Sequence, residues 1–403
     1  MLIHWLWYSL RTGIHNRDKM ALLERFRSAE DIFSATAADY FRAGLPKATA
    51  AALQDKDLSQ ARKIMAECEQ IGIGIISFGD AQYPSRLKYI ADPPMVLYYK
   101  GKLPDFEETA TVGVVGTRKA SLYGLQVAKR LGFQIGTCGG MVVSGMAEGI
   151  DGYATQGALL AGGKVLGVLG SGVDVVYPAK NKALFAEMER FGCLISEYPP
   201  GTPPYKWNFP QRNRIISGMS NGVLIVEAPE KSGALITARA ALEQGRDVFV
   251  VPGNIDVATC MGSNALLREG ATAVSHGWDI LSEYAQMYDG ALALRNIPEP
   301  APDEEKPSLK VAQRPALPAR KPEKKKKPID NGINVAYSDK KDKLSGLSDA
   351  EQKLVNLLLE GEQLVDDVIA GAGLPVAQAK AMLTMLEIKG VIASLPGGRL
   401  TLK

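Results

Sequence analysis

The sequence predicts an α/β protein: a doubly wound parallel sheet, preceded by a helical N-terminal domain and followed by a winged helix. Three observations lead there. Short apolar runs rich in β-branched residues begin near Val112, Met141, Val165, Leu194, Val223 and Val248, at intervals of 29, 24, 29, 29 and 25 residues. Each interval holds one strand and one crossover helix, the repeat of a parallel sheet. Before Ile71 the apolar residues keep helical spacing, and from Ile71 the period shortens to that of strands. After Asp289 the composition turns to proline and lysine, and regular patterning returns at residue 345. The expected divisions are therefore 1–70 helical, 71–290 the sheet domain, 291–344 a linker and 345–403 the winged helix.

Bulk properties narrow the function classes. A chain of 403 residues accommodates two or three domains, and its formal net charge of +3 gives no whole-chain attraction to polyanions. Any nucleic-acid site must be local. The opening MLIHWLWYSLRTG is apolar but short, with no basic region before it and no small-residue cleavage site, so no signal peptide is expected. No run approaches the length of a membrane span. Cys68, Cys138, Cys193 and Cys260 lack paired spacing, which suits reduced thiols better than zinc or disulfides. The expected compartment is the cytoplasm, with no metal and no cofactor.

In chain order, ALLERFRSAEDIF, TAADYFRAGL, ATAAALQ and LSQARKIMAECEQIG read as short helices. The Gly44-Leu45-Pro46 turn loosely resembles a helix-hairpin-helix, although a plain helical cap on the next domain fits it better, since a short helix pair with a glycine turn is a generic packing device. IGIGIISFGD reads as a strand, and the turn-rich segment after it leads to a second short one. The crossover helices fall in LYGLQVAKRLGFQIG, IDGYATQGALLAGG, AKNKALFAEMERFG, QRNRIISGMS and SGALITARAALEQG. Residues 291–343 hold eight prolines and 13 Lys and Arg against eight Asp and Glu, the composition of an extended, disordered tether. In the last module Ser348 and Glu351 have capping-box spacing. A helix follows around LVDDVIAGAG, another from Pro375 through Lys389, and then a hairpin turning at Pro396-Gly397-Gly398. This module carries five Lys and Arg against seven Asp and Glu, so protein contact suits it better than DNA reading.

The chemistry gathers at the strand ends. In TVGVVGTRKASLYG, a buried strand runs through a glycine turn into a helix and Arg118 projects from the turn, beside backbone N–H groups suited to phosphate. An ordinary surface ion pair is the alternative role for Arg118. The loop YKWNFPQRNRIIS places Arg212 and Arg214 in the first turn of a helix, where the macrodipole disfavours cations. An anionic partner would repair that conflict, and pairing to Glu197 or Glu227 would do so without a ligand. Lys206, Trp207 and Phe209 add a cation and two flat side chains, the mix that single-stranded nucleic acid requires. With the neighbouring loops EAPEKSG and PGN, the candidate DNA-binding residues are Gly116, Thr117, Arg118, Lys206, Phe209, Arg212, Asn213, Arg214, Lys231, Ser232, Gly233 and Asn254. Catalytic signals are poor: His4, His15 and His276 fall outside these loops, and GALLAGGKV and GVLGSG lack the glycine order of nucleotide-binding fingerprints.

Taken together, VGVVGTR, SGMAEGIDGYATQGAL, VLGSGVDVVYPAKN, SEYPPGTPPYKWNFPQRNRIISGMS, VEAPEKSGALITA, GRDVFVVPGN and GSNALLREGA resemble the DprA/Smf family of DNA-processing proteins. The resemblance implies a Rossmann-like domain that binds single-stranded DNA, forms a homodimer and hands the strand to the RecA recombinase during natural transformation. It makes Arg118 the phosphate-binding arginine, and Lys206 and Phe209 the lysine and aromatic that hold backbone and base. Thr117 stands where the family often has Ser and keeps the hydroxyl. Glu148 replaces a usual arginine and Thr155 a common histidine, so a basic contact at 148 is lost and no histidine role carries over. Two other classes of function compete: a nucleotide-processing hydrolase on the same sheet, which lacks an acid/base constellation, and a regulator acting through the winged helix, which that module's acidity disfavours.

Overall fold

The computed structural model describes residues 1–295, 348–358, 363–372, 374, 376–388, 391–395 and 399–402. The expected linker therefore lies almost wholly outside the described residues, as do the hairpin tip at 396–398 and Lys389. The chain divides into two compact units, Met1–Ser308 and Leu309–Lys403.

The first unit opens with six helices, α1 (Leu2–Ser9), α2 (Asn16–Phe26), α3 (Ala29–Ser34), α4 (Ala37–Arg42), α5 (Lys47–Gln54) and α6 (Ser59–Gln70). The apolar opening segment becomes α1, whose Leu6, Trp7 and Tyr8 are fully buried. Strands β1 (Gly74–Ser77) and β2 (Val96–Gly101) flank the short helix α7 (Ser85–Lys88). Then come β3 (Thr111–Val115), α8 (Leu122–Thr137), β4 (Met141–Ser144), α9 (Ile150–Leu160), β5 (Lys164–Val168), α10 (Lys182–Phe191) and β6 (Cys193–Ser196). The second half runs α11 (Asn208–Met219), β7 (Gly222–Ile225), α12 (Gly233–Glu243), β8 (Asp247–Val250), α13 (Met261–Arg268), β9 (Thr272–Ala273) and α14 (Gly277–Leu281). Each of the six expected strand starts is within one residue of the observed one.

These strands form one nine-stranded sheet in the order β1-β2-β6-β5-β4-β3-β7-β8-β9. Strands β3 to β9 are parallel, and β1 and β2 extend the β6 edge in antiparallel register. Every residue of β3, β4, β6 and β7 is buried, as expected for parallel strands covered on both faces. Alternation assigns the faces. Val112, Val114 and Val142 pack with the N-terminal helices and with α8, α9 and α10. Val115, Val143 and Ile225 pack with α7, α11, α12 and α13.

The sequence left the strand order open, and pairing supplies it. The chain winds outward from β3 through β4 and β5 to β6, then returns to β7 on the other side of β3. The order thus reverses between β3 and β7, and a crevice opens above their carboxyl ends, where open α/β sheets bind ligands.

The second unit has helices at Asp349–Leu357, Val365–Ala372 and Val376–Ile388. Strands β10 (Gln363–Leu364) and β11 (Ile392–Leu395) both pair antiparallel with β12 (Arg399–Leu402). The reciprocal Ser348–Glu351 capping box anticipated from spacing is present. Leu354, Val355, Val368, Leu383 and Ile392 form its core.

Candidate functional site

Above the β3/β7 switch point lies a cleft of about 820 Å³, lined by residues from the loops after β3, β7 and β8 and from the start of α11. Its floor is built by the glycine turn. A Cβ at Gly116 would stand 2.5 Å from Ile150 Cγ1 and 2.9 Å from the Glu227 carbonyl oxygen. Glycine here admits α9 and the β7 loop, so the close approach is made by protein rather than by a ligand. Thr117 N–H donates to the Glu227 carbonyl at 2.7 Å, which pins the turn, and the Thr117 hydroxyl accepts from Lys119 N–H at 3.2 Å. Arg118 is left exposed at the cleft edge.

Glu227, offered above as a possible arginine partner, does other work. It is buried and accepts from Ser121 N–H at 2.8 Å and from the Ser121 hydroxyl at 2.6 Å, fixing the start of α8. The two arginines of the α11 loop also part company with a common role. Arg214 bonds Glu197 at 2.6 Å and Asp92 at 3.1 Å, and it does not line the cleft. Burial alone would lower its pKa, but these two carboxylates outweigh burial and hold the guanidinium charged. The macrodipole conflict at Arg214 is thus resolved within the protein.

Arg212 lies beneath the cleft and is 4% exposed. Its guanidinium donates to the carbonyls of Gly145, at 2.9 Å, and Val168. Burial pushes its pKa down to about 10, and it faces Asp151, whose carboxyl burial pushes up while Arg212 and the N–H of Gly145 hold it down. This buried pair ties β4, β5 and α9 to α11, and both members are oriented by backbone groups.

Phe209 is half-buried in the cleft. Its ring lies 5.4 Å from that of Tyr177, and the Arg118 guanidinium sits 5.3 Å above it. Arg118 is therefore held over an aromatic face instead of in an ion pair. Lys206 is exposed at the mouth. Asn213 joins two elements, donating to the Gly233 carbonyl at 3.3 Å and accepting from Arg212 Nε at 3.2 Å. Ser232 caps α12 by accepting from Ala234 N–H at 3.2 Å, and exposed Lys231 precedes it with no acidic residue in that helix's first turn.

Ten of the twelve sequence candidates line the cleft: Gly116, Thr117, Arg118, Lys206, Phe209, Arg212, Asn213, Lys231, Ser232 and Gly233. Arg214 and Asn254 do not; Asn254 uses its side-chain oxygen to accept from Asp256 N–H at 3.0 Å in its own loop. Sequence reasoning missed Lys119, Tyr177 and Thr259, which line it. Lys119 and Tyr177 stand inside strand-end motifs already singled out, so their loops were the available signal. Among the described residues, none of Arg118, Lys119, Lys206 and Lys231 forms an ion pair, and no cluster of three metal-ligating side chains occurs. No described helix is long and apolar enough to cross a membrane. Four cations without ion-pair partners, beside the start of α11 with no side-chain cap, attract anions, and the adjoining aromatic faces accept flat groups.

Comparison with known proteins identifies the family. The family described as DNA recombination-mediator protein A matches residues 74–285, and the DprA winged helix domain matches 338–398. The DNA processing protein DprA of Bacillus subtilis is 43% identical over 221 residues, 55% of this chain and 74% of its own. Protein Smf of Synechocystis is 32% identical over 347 residues, 84% of this chain and 82% of its own. The X-ray structure of DprA from Streptococcus pneumoniae superimposes with a TM-score of 0.63 at 33% identity, covering 70% of this chain and 98% of that one. With the sheet, the switch-point cleft and the winged helix all in place, this chain belongs to the DprA/Smf family of DNA recombination mediators.

Proposed function

We propose that the cleft binds single-stranded DNA, protecting it and presenting it to a RecA-type recombinase during natural transformation. The observation that carries this reading is the set of four cations, Arg118, Lys119, Lys206 and Lys231, which converge on one cleft without a carboxylate partner among the described residues. They suit successive phosphates of one strand. Phe209 and Tyr177 between them suit unstacked bases, whose faces a duplex keeps hidden. Recombinase loading is supported by family membership, and cytoplasmic residence follows from the same role.

A homodimer extends the reading. Exposed Ile255 and Val257 in the loop after β8, and Met261 on α13, place apolar side chains outside the cleft. Covering them with a second copy would remove that surface from water. A hydrolytic role has less support, because Asp151, the carboxylate lining the cleft, is committed to Arg212 and backbone N–H groups.

Binding of labelled oligonucleotides by the full chain tests the proposal. Single strands should bind more tightly than duplex of the same length, and Arg118→Ala and Lys206→Ala should each weaken binding. Equal affinity for both forms would overturn it. Light scattering across a concentration series tests the dimer, and a particle of one chain's mass at every concentration would refute it.

A further inference from the structure

Just outside the cleft stands an aromatic pair that the binding scheme above leaves unused. The rings of Tyr205 and Trp207 stack with centroids 4.7 Å apart and planes 7° from parallel. Both remain in water: Trp207 is 64% exposed and Tyr205 44%. Neither lines the cleft, yet Lys206 between them does.

The pair is held in place from below. Tyr205 N–H bonds the Pro203 carbonyl at 2.8 Å, and Asn208 N–H bonds the Tyr205 carbonyl at 3.0 Å. The Asn208 side chain, 4% exposed, donates to the Gly170 carbonyl at 2.9 Å and so anchors the turn on the loop after β5. A large planar surface in water, fixed before any ligand arrives, loses little conformational freedom on binding. Trp207 and Phe209 are two residues apart at the start of α11, and side chains so spaced point to different sides of a helix. Phe209 turns inward to Tyr177 and Arg118, and Trp207 turns out. Lys206, which lines the cleft, stands between Tyr205 and Trp207 in the chain and just before the start of α11, a terminus with no side-chain cap.

We infer that the Tyr205–Trp207 stack is a second base-stacking platform, taking the nucleotide that follows the one on Phe209 while Lys206 holds the phosphate joining them. The inference rests on the proposed binding of single-stranded DNA in the cleft. Its occupant is a nucleobase, because the surface is continuous with a cation that faces the cleft and is flat on the scale of one base. A protein partner on the same rings is the competing outcome.

Fluorescence titration of the full chain with oligothymidylate separates these. Trp5, Trp7 and Trp278 belong to α1 and α14, which pack on the opposite face of the sheet from α11, so Trp207 supplies the ligand-dependent emission. Oligothymidylate should quench that emission, and Trp207→Phe should abolish the quench while keeping affinity within a few fold. Trp207→Ala should weaken binding on the order of 5- to 100-fold with an unchanged salt slope. Because the ring is exposed, melting should hardly move, and the Phe variant reads stacking even if it does. If Trp207→Ala binds like wild type while Arg118→Ala and Lys206→Ala are impaired, the platform is refuted and the cleft reading stands. If all three bind like wild type, the cleft reading itself is refuted. Loss of recombinase loading in Trp207→Ala, with DNA affinity intact, would assign the rings to a protein partner and overturn the inference.

Discussion

Replacing Phe209 with alanine separates stacking from packing. The ring has two kinds of neighbour: inward, Tyr177 and Gly170, where an added Cβ would stand 3.0 Å from the ring; outward, Arg118, whose guanidinium lies 5.3 Å away. Truncating a fully buried phenylalanine costs about 3 to 5 kcal/mol, and a half-buried one roughly half of that, ~2 kcal/mol. For a domain of this size each kcal/mol lowers Tm by about 2 to 4 °C, so Phe209→Ala remains folded at 25 °C. Losing a base stack costs about 1 to 3 kcal/mol of binding, or roughly five- to 150-fold in Kd. Arg118 also loses the face that orients it, a contribution of about 0.5 to 1 kcal/mol at an exposed site. Fluorescence anisotropy with oligothymidylate at 25 °C, beside scanning calorimetry on the same sample, reads both effects. The expected outcome is a modestly lower Tm, a weaker Kd and a salt slope close to wild type. A variant that melts early yet binds like wild type when folded would refute stacking and leave Phe209 a packing residue.

Other variants test the remaining assignments. Arg214→Ala strands Glu197 and Asp92 and should cost roughly 3 to 5 kcal/mol in denaturant unfolding, with no change in the salt slope of DNA binding; a flattened slope would return Arg214 to the interface. Burial pushes Lys19 down to about 8 from its ordinary 10.5. Below that pH both folded and unfolded chains hold the proton and the desolvation cost is complete; as pH rises toward 10.5 the unfolded chain binds more protons, so stability rises. Urea melts between pH 7.5 and 9.5, below the ordinary tyrosine range, should show this rise, and Lys19→Met should diminish it; an identical rise in the variant would refute the assignment. A chain ending at Arg295 keeps Leu292 in the core and the 3.2 Å bond from Ala293 N–H to the Cys138 carbonyl, so it should fold and bind DNA within a few fold of wild type. Loss of binding with the circular dichroism intact would move the site to the later residues.

What the sequence made legible follows from range. Buried parallel strands announce themselves as apolar runs a crossover apart, so their starts could be read to within a residue. The candidate loops were legible because a sheet of this kind collects its loops at one rim, whatever the strand order. The order itself depends on pairing between strands far apart in the chain, and with it the position of the switch point. Arg214 shows the same limit at one residue: its helix-start position signalled an unmet need for an anion, and Glu197 was a visible supplier. Asp92, the second supplier, comes from a turn 122 residues away, which no local pattern connects to it. Glu227 was misjudged because a carboxylate near arginines suggests an ion pair, whereas its actual partners are the N–H and hydroxyl of Ser121. The Tyr205–Trp207 stack could not be read either, since at a helix start residues two apart point to different sides unless a turn brings them together.

The central claim is that four unpaired cations at the switch-point cleft hold the backbone of a single strand. Its most direct test is the dependence of log Kd on log salt for oligothymidylate, measured on the full chain and on Arg118→Ala and Lys206→Ala. Each phosphate contact to a single strand contributes a slope of about 0.7, so four contacts predict a slope near 3, falling by about 0.7 in each variant. A wild-type slope near zero, or variants whose slopes match wild type, would contradict the account.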